Sequence, residues 1–174
     1  MMARTPWQRL VRFVRHLWSD PADVPRRLGR DTIDHVQAQV RASEGRHHGE
    51  IRVCIEAGLP LADLWRNASA RERAVELFGE LGVWDTEANN GVLIYLLLAD
   101  RAIEIVADRG LDRQVGAAQW QAIVAQMHDA FQAGRFDAGL QAAVAAVDHL
   151  LATHFPRGEG AADVNELPDA PVLR

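Results

Sequence analysis

Two hydrophobic segments joined by a tight turn constrain the fold of this chain most strongly. Val92 to Leu98 is hydrophobic throughout, which is typical of a central strand covered on both faces. Ala102 to Ala107 is more mixed and contains Glu104, which favours a position nearer the edge of a sheet. The Ala-Asp-Arg sequence between them is too short for anything but a turn, so we predict an antiparallel hairpin.

The order of the other predicted elements extends this hairpin into an α/β fold. Ile51 to Glu56 alternates in polarity as a strand does. Leu61 to Leu81 is predicted to be helical, in one piece or two, with a capping box at Ser69-Ala-Arg-Glu72. A strand, a crossover helix and a second strand predict a parallel pair. We therefore predict a three-layer α/β/α sandwich, Rossmann-like, whose small mixed sheet combines that parallel pair with the hairpin.

The domain organisation follows from the flanking segments. Residues 1–20 are predicted to form an amphipathic N-terminal helix, residues 31–155 the α/β domain, and residues 156–174 a disordered tail rich in Gly, Pro, Ala and acids. In the first helix, hydrophobic residues recur at helical spacing. This stripe suits a helix docked on the domain or on a partner subunit. The less common alternative is an interfacial helix whose residues 5–18 bind an anionic membrane surface.

Composition excludes several classes of function. A net charge of −5 argues against a general nucleic-acid binder. The chain contains no Lys, which excludes a Schiff-base lysine and a P-loop lysine. Its one cysteine, Cys54, lies between Val53 and Ile55 and is expected to be a buried, inert thiol. No signal peptide is evident and the longest apolar run is too short to cross a bilayer, so we expect a cytoplasmic protein, peripheral to a membrane if the first helix binds one.

The directions of the predicted strands place the polar residues of their ends at two opposite edges of the sheet. One edge carries oxygen-rich side chains, a pattern that suits a hard cation such as Ca²⁺ or Mg²⁺. The candidate metal ligands are Asp85, Asn89, Asn90 and Asp108. At the same edge, Arg109 could hold a phosphate, and Asp108 or Asp112 could act as a base.

Simpler interpretations of these residues stay open. Asp and Asn are common in loops because their side chains bond the local backbone. The opposite edge, with Glu56, Asp63 and Asp100-Arg101, is where ligands usually bind in an open α/β sheet, but Asp100-Arg101 also suits an exposed hairpin turn. No Gly-x-Ser-x-Gly elbow, Walker loop or dinucleotide-binding fingerprint is present.

Four segments follow one another along the chain: Gly49-Glu50-Ile51, Leu81 to Trp84, Asn89 to Ile94 with the Asp100-Arg101 turn, and Ile105 to Asp112. Together and in this order they resemble the TPM-domain family, the group that includes a thylakoid-lumen acid phosphatase. The resemblance implies an α/β/α sandwich, and for some relatives acid phosphatase activity and divalent-cation binding. This chain departs from the family at Asp108-Arg109-Gly110, where relatives often have Gly-x-Gly. Neither the signal peptide nor the C-terminal membrane segments of many members are evident in this sequence.

Two functions remain in competition at this point. The first is a domain that binds a divalent cation at the Asp85/Asn90/Asp108 edge and weakly hydrolyses phosphoesters. The second is a non-enzymatic module that docks on a protein or a membrane through its N-terminal helix.

Overall fold

A four-stranded mixed sheet forms the centre of the molecule. The computed structural model describes residues 5–158 and 165–174. The strands, β1 (Ile51–Glu56), β2 (Val92–Leu97), β3 (Ala102–Ala107) and β4 (Val172–Leu173), lie in the order β3-β2-β1-β4. β1 is parallel to β2 and β4, and β2 is antiparallel to β3. The predicted parallel pair and hairpin are therefore confirmed.

Helices flank this open sheet, as the predicted α/β sandwich requires. A single 3₁₀ turn at Pro21–Asp23 precedes α2. The helices are α1 (Pro6–Leu17), α2 (Val24–Leu28), α3 (Arg30–Ser43), α4 (Leu61–Trp65), α5 (Ala70–Glu80), α6 (Arg109–Asp112), α7 (Ala117–Gln132) and α8 (Phe136–His154).

The uniform hydrophobicity of β2 is explained by two separate cores. Ile94 and Leu96 pack with residues of α3, α7 and α8 on one face of the sheet. Leu93 and Tyr95 pack with residues of α4 and α5 on the other face. Since both faces are covered, both alternating sets of side chains must be apolar.

The predicted capping box of the crossover helix is confirmed. The Ser69–Glu72 capping box starts α5, and Gly82 follows that helix with a φ of 69°. Helix α3 begins at Arg30 after Gly29, whose φ is 84°. After β3, residues Arg109–Asp112 form the single helical turn of α6.

The prediction of a disordered C-terminal tail is wrong for residues 165–174. Both carboxylate oxygens of Glu50 accept backbone hydrogen bonds, from Glu166 N at 3.1 Å and Leu167 N at 3.3 Å. Farther on, β4 pairs with the open side of β1. Composition alone suggested disorder, but a free strand edge and a buried carboxylate supply partners for the backbone. Residues 159–164 of that predicted tail lie outside the described residues.

Candidate functional site

The two outer ends of the hairpin meet at one rim of the sheet. Asp108 N donates to Gly91 O at 2.9 Å, and Gly110 N donates to Asn89 O at 2.9 Å. Arg109 Nε also donates to Asn89 Oδ1 at 3.0 Å. Strand polarity predicts a common edge for Asn89, Asp108 and Arg109, and the structure brings them together there.

Close backbone approach explains the glycines of this rim. A Cβ atom on Gly91 would lie 2.0 Å from Val83 O, and one on Gly110 would lie 2.3 Å from Asn89 O. Neither backbone atom can move aside as a flexible side chain could. Asn89, between these contacts, adopts a φ of 52°, which asparagine tolerates better than most residues. The Asn-Asn-Gly motif is therefore a structural requirement of the rim.

Asn90 is fully buried and only partly satisfied. Its backbone N–H donates to Thr86 Oγ1 at 3.1 Å, and its side-chain Nδ2 donates to His48 O at 3.0 Å, which ties β2 to the start of β1. Its Oδ1 atom is enclosed and has no hydrogen-bond partner among the described residues.

Asp108 has a similar half-satisfied side chain. Its Oδ1 accepts a hydrogen bond from Arg109 N at 2.6 Å, so Asp108 caps the short helix α6. Its Oδ2 is enclosed and lacks a hydrogen-bond donor within the described part of the chain. Successive side chains of a strand point to opposite faces of the sheet. Asp108 should therefore point to the same face as Val106, and Asn90 to the same face as Val92. An ion that contacted both would therefore sit beyond the strand ends.

The other predicted residues of this edge are less enclosed. Asp85 is exposed in the loop before β2, and Asp112 is exposed one helical turn after Asp108. Within residues 5–158 and 165–174, no three His, Cys, Asp or Glu side chains form a group that could hold a metal ion. Any cation at this rim would therefore depend on amide and backbone oxygens as well as carboxylate.

A cavity of about 440 Å³ lies beside the rim, at the start of β1. Its lining includes His47, His48, Glu50 and Glu166. Burial lowers the pKa of His47, although the nearby carboxylate of Asp148, 3.5 Å from its Nε2, acts in the opposite direction. His47 thus faces Asp148, and Glu50 is occupied by the C-terminal backbone, so this cavity is built around structural contacts.

Comparison with known proteins decides the family. The sequence pattern of the TPM domain matches residues 21–150, most of the chain. The chain belongs to the TPM-domain family. Two solved structures share the fold of this TPM domain. The first is the NMR structure of the BA42 protein from Bizionia argentinensis, with 27% identity and a TM-score of 0.71 over 83% of this chain and 94% of that chain.

The second is the N-terminal domain of a P. gingivalis protein, with 18% identity and a TM-score of 0.59 over 91% of this chain and 100% of that chain. At that identity the likeness concerns the fold alone. No curated protein matches the sequence significantly. Helix α1 precedes the residues that the TPM family pattern matches.

At the opposite rim of the TPM domain, the acidic residues are occupied by structural partners. Glu56 is buried and accepts hydrogen bonds from Tyr95 Oη at 2.6 Å and from Arg73 Nη2 at 3.1 Å. Burial raises the pKa of Tyr95 strongly, and the charge of Glu56 raises it further. Burial alone would lower the pKa of Arg73, but the bond and charge of Glu56 raise it above its ordinary value. This cluster holds α5 against the sheet.

Asp100 is likewise a structural anchor. It was predicted either to form part of a site or to lie exposed in the hairpin turn, yet only 10% of its side chain is exposed. It accepts hydrogen bonds from Arg12 Nε at 2.8 Å, from His16 Nε2 at 2.9 Å and from Arg15. Burial would raise the pKa of Asp100, but the bond from His16 and the charge of Arg12 outweigh it and hold this pKa well below its usual range.

Sequence reasoning missed four residues of these clusters: Arg12, His16, Arg73 and Tyr95. The spacing of Arg12 and His16, one helical turn apart and opposite the hydrophobic stripe, was a signal that this side of the helix has a partner. Arg73 and Tyr95 gave no such signal, because one lies in an ordinary amphipathic helix and the other in a uniformly hydrophobic strand.

Proposed function

We propose that this TPM domain binds a divalent cation, Ca²⁺ or Mg²⁺, at the Asn90–Asp108 rim. The supporting observation is that two enclosed oxygens of this rim, Asn90 Oδ1 and Asp108 Oδ2, each have no hydrogen-bond donor among the described residues. A buried acceptor without a partner costs about 1–3 kcal/mol, and more when it is charged. Carboxylate and amide oxygens are ligands that hard cations prefer, so a cation would offset this cost.

The ligand set makes the proposed affinity modest. Asp108 is the only buried carboxylate among the proposed ligands, and the Asn89 side chain is engaged by Arg109. Asp85 is exposed and would add charge from the neighbouring loop. Sites with few charged ligands bind Ca²⁺ with Kd values of about 10⁻⁴–10⁻³ M, and we expect this range here.

Weak hydrolysis of phosphomonoesters is the activity that such a rim would support. Arg109 has an exposed guanidinium that Asn89 orients through Nε, and guanidinium groups bind phosphate oxygens in a forked geometry. A bound divalent cation would neutralise part of the phosphate charge. Asp112, exposed one turn after Asp108, is the candidate base. Acid phosphatase activity reported for some members of the family is consistent with this assignment.

Turnover of p-nitrophenyl phosphate with Ca²⁺, with Mg²⁺ and with EDTA tests the hydrolysis. Asp108→Asn is the informative variant, because asparagine caps a helix as well as aspartate does and α6 should persist. Asp137→Asn, an exposed first-turn carboxylate of α8, is the matched control. We expect metal-dependent turnover that falls at least tenfold in Asp108→Asn only. Turnover that is independent of metal, or equal in the two variants, would refute the proposal.

A further inference from the structure

Helix α1 contacts the domain through its polar side. Arg12 bonds Asp100 and also donates from Nη2 to Ala68 O at 2.8 Å. Leu59 N donates to His16 Nδ1 at 2.9 Å, so Nδ1 carries no proton and Nε2 is the nitrogen that donates to Asp100. Because these contacts are directional, they fix the rotation of α1 about its axis.

The hydrophobic side of α1 consequently faces solvent. Trp7 is 71% exposed and Trp18 is 80% exposed, at the two ends of the helix. Trp65 of α4, itself 75% exposed, extends this surface. It contacts Phe13 edge to face, with 5.8 Å between the ring centroids. We call this surface the α1 face. Its exposed members are Trp7, Leu10, Val11, Val14, Leu17, Trp18 and Trp65.

The charged residues of α1 itself are all of one sign. Residues 5–18 contain three arginines and no acid, in a chain whose net charge is −5. Helical spacing places Arg9 and Arg15 on either side of the buried row formed by Arg12 and His16. Both are exposed, although Arg15 also bonds Asp100. Arg9 lines a pocket with Leu10 and Trp65, and Arg15 lines one with Trp7 and Val11, so these two arginines border the hydrophobic surface.

We propose that the α1 face docks on an anionic membrane surface, with α1 lying in the plane of the interface. A one-sided hydrophobic helix with arginines on its polar side and Trp and Leu on the other is the pattern of interfacial helices. Tryptophan is enriched at the boundary between lipid and water, and here three tryptophans surround an aliphatic centre. None of the described helices has the length and apolar character to cross a bilayer.

Co-sedimentation with vesicles tests this docking. The probe is a vesicle of equal parts phosphatidylcholine and phosphatidylserine at low salt, with EDTA present so that no divalent cation bridges protein and lipid. We expect most of the protein in the pellet with these vesicles and little with pure phosphatidylcholine. A Leu10→Glu and Val14→Glu double variant, altered only at exposed positions, should reduce binding at least tenfold.

Trp84→Glu is the matched control. Trp84 is exposed but lies near the start of β2, at the end of the sheet opposite Asp100, and its replacement should leave binding unchanged. Circular dichroism would verify that each variant is folded. Equal binding by wild type and the double variant would overturn the proposal, as would equal binding to both kinds of vesicle. A dimer in sedimentation velocity that the double variant abolishes, without vesicle binding, would assign the face to a second copy instead.

Discussion

Replacement of Asp100 by asparagine should release α1 from the domain. The change keeps the shape of the side chain but leaves Arg12, whose side chain is 5% exposed, without its carboxylate partner. Removing one member of a buried ion pair costs about 3–5 kcal/mol. Asn retains one acceptor oxygen and Arg12 keeps its bond to Ala68 O, so we expect the lower end of that range. The side chain of Arg15 is half exposed, so its ion pair with Asp100 adds little to this stabilisation.

Hydrogen exchange followed by mass spectrometry measures this loss locally. A loss of about 3 kcal/mol corresponds to a roughly hundredfold fall in the protection of the α1 amides. Amides of β2, whose hydrogen bonds do not involve α1, should change far less. Asp137→Asn removes an exposed carboxylate bonded only to Gln141 among the described residues and should leave α1 unaffected. Unchanged protection of α1 in Asp100→Asn would show that the Asp100 contacts do not hold the helix.

Three further predictions concern stability and are measured by urea unfolding. Glu56→Gln leaves the buried Arg73 without its main partner and should cost about 3 kcal/mol; a change below 1 kcal/mol would contradict the role of that cluster. Gly91→Ala should destabilise the protein by several kcal/mol, because the new Cβ would meet Val83 O. Gly79→Ala, in an exposed helical position with open space, should stabilise it by about 1 kcal/mol. Similar changes in the free energy of unfolding for the two variants would refute the close-approach argument. Burial lowers the pKa of His47 in the folded state. As the pH falls through about 6.5, His47 therefore takes up a proton more readily in the unfolded chain than in the folded one. The free energy of unfolding should consequently decrease from pH 7 to pH 5. The decrease should be smaller in His47→Gln, and an identical decrease would exclude His47 as its source.

The hairpin could be predicted because its signal is local. A uniformly hydrophobic segment such as β2 requires two covered faces, and this requirement also predicts the helices on both sides. The gathering of Asn90 and Asp108 at one rim follows from strand polarity alone. Which of their atoms lack partners depends on distances of a few tenths of an ångström, which no sequence pattern contains.

The orientation of α1 and the course of the C-terminal segment could not be predicted for a different reason. Periodicity identifies the hydrophobic and polar sides of α1, and the usual expectation is that the hydrophobic side is buried. Here the partners of the polar side are the carboxylate of Asp100 and the backbone of Leu59 and Ala68, all distant in sequence. The strand β4 is only two residues long, and its position depends on the free edge of β1 and on Glu50, both far away in the chain.

The central functional claim, a cation held at the Asn90–Asp108 rim, is tested most directly by following backbone amides by NMR during addition of Ca²⁺. We predict saturable shifts that are largest at residues 89–91 and 108–110 and that disappear in Asp108→Asn while the fold is retained. The absence of shifts at these amides up to several times the expected Kd of about 10⁻³ M would contradict the claim. So would shifts of equal size in wild type and Asp108→Asn.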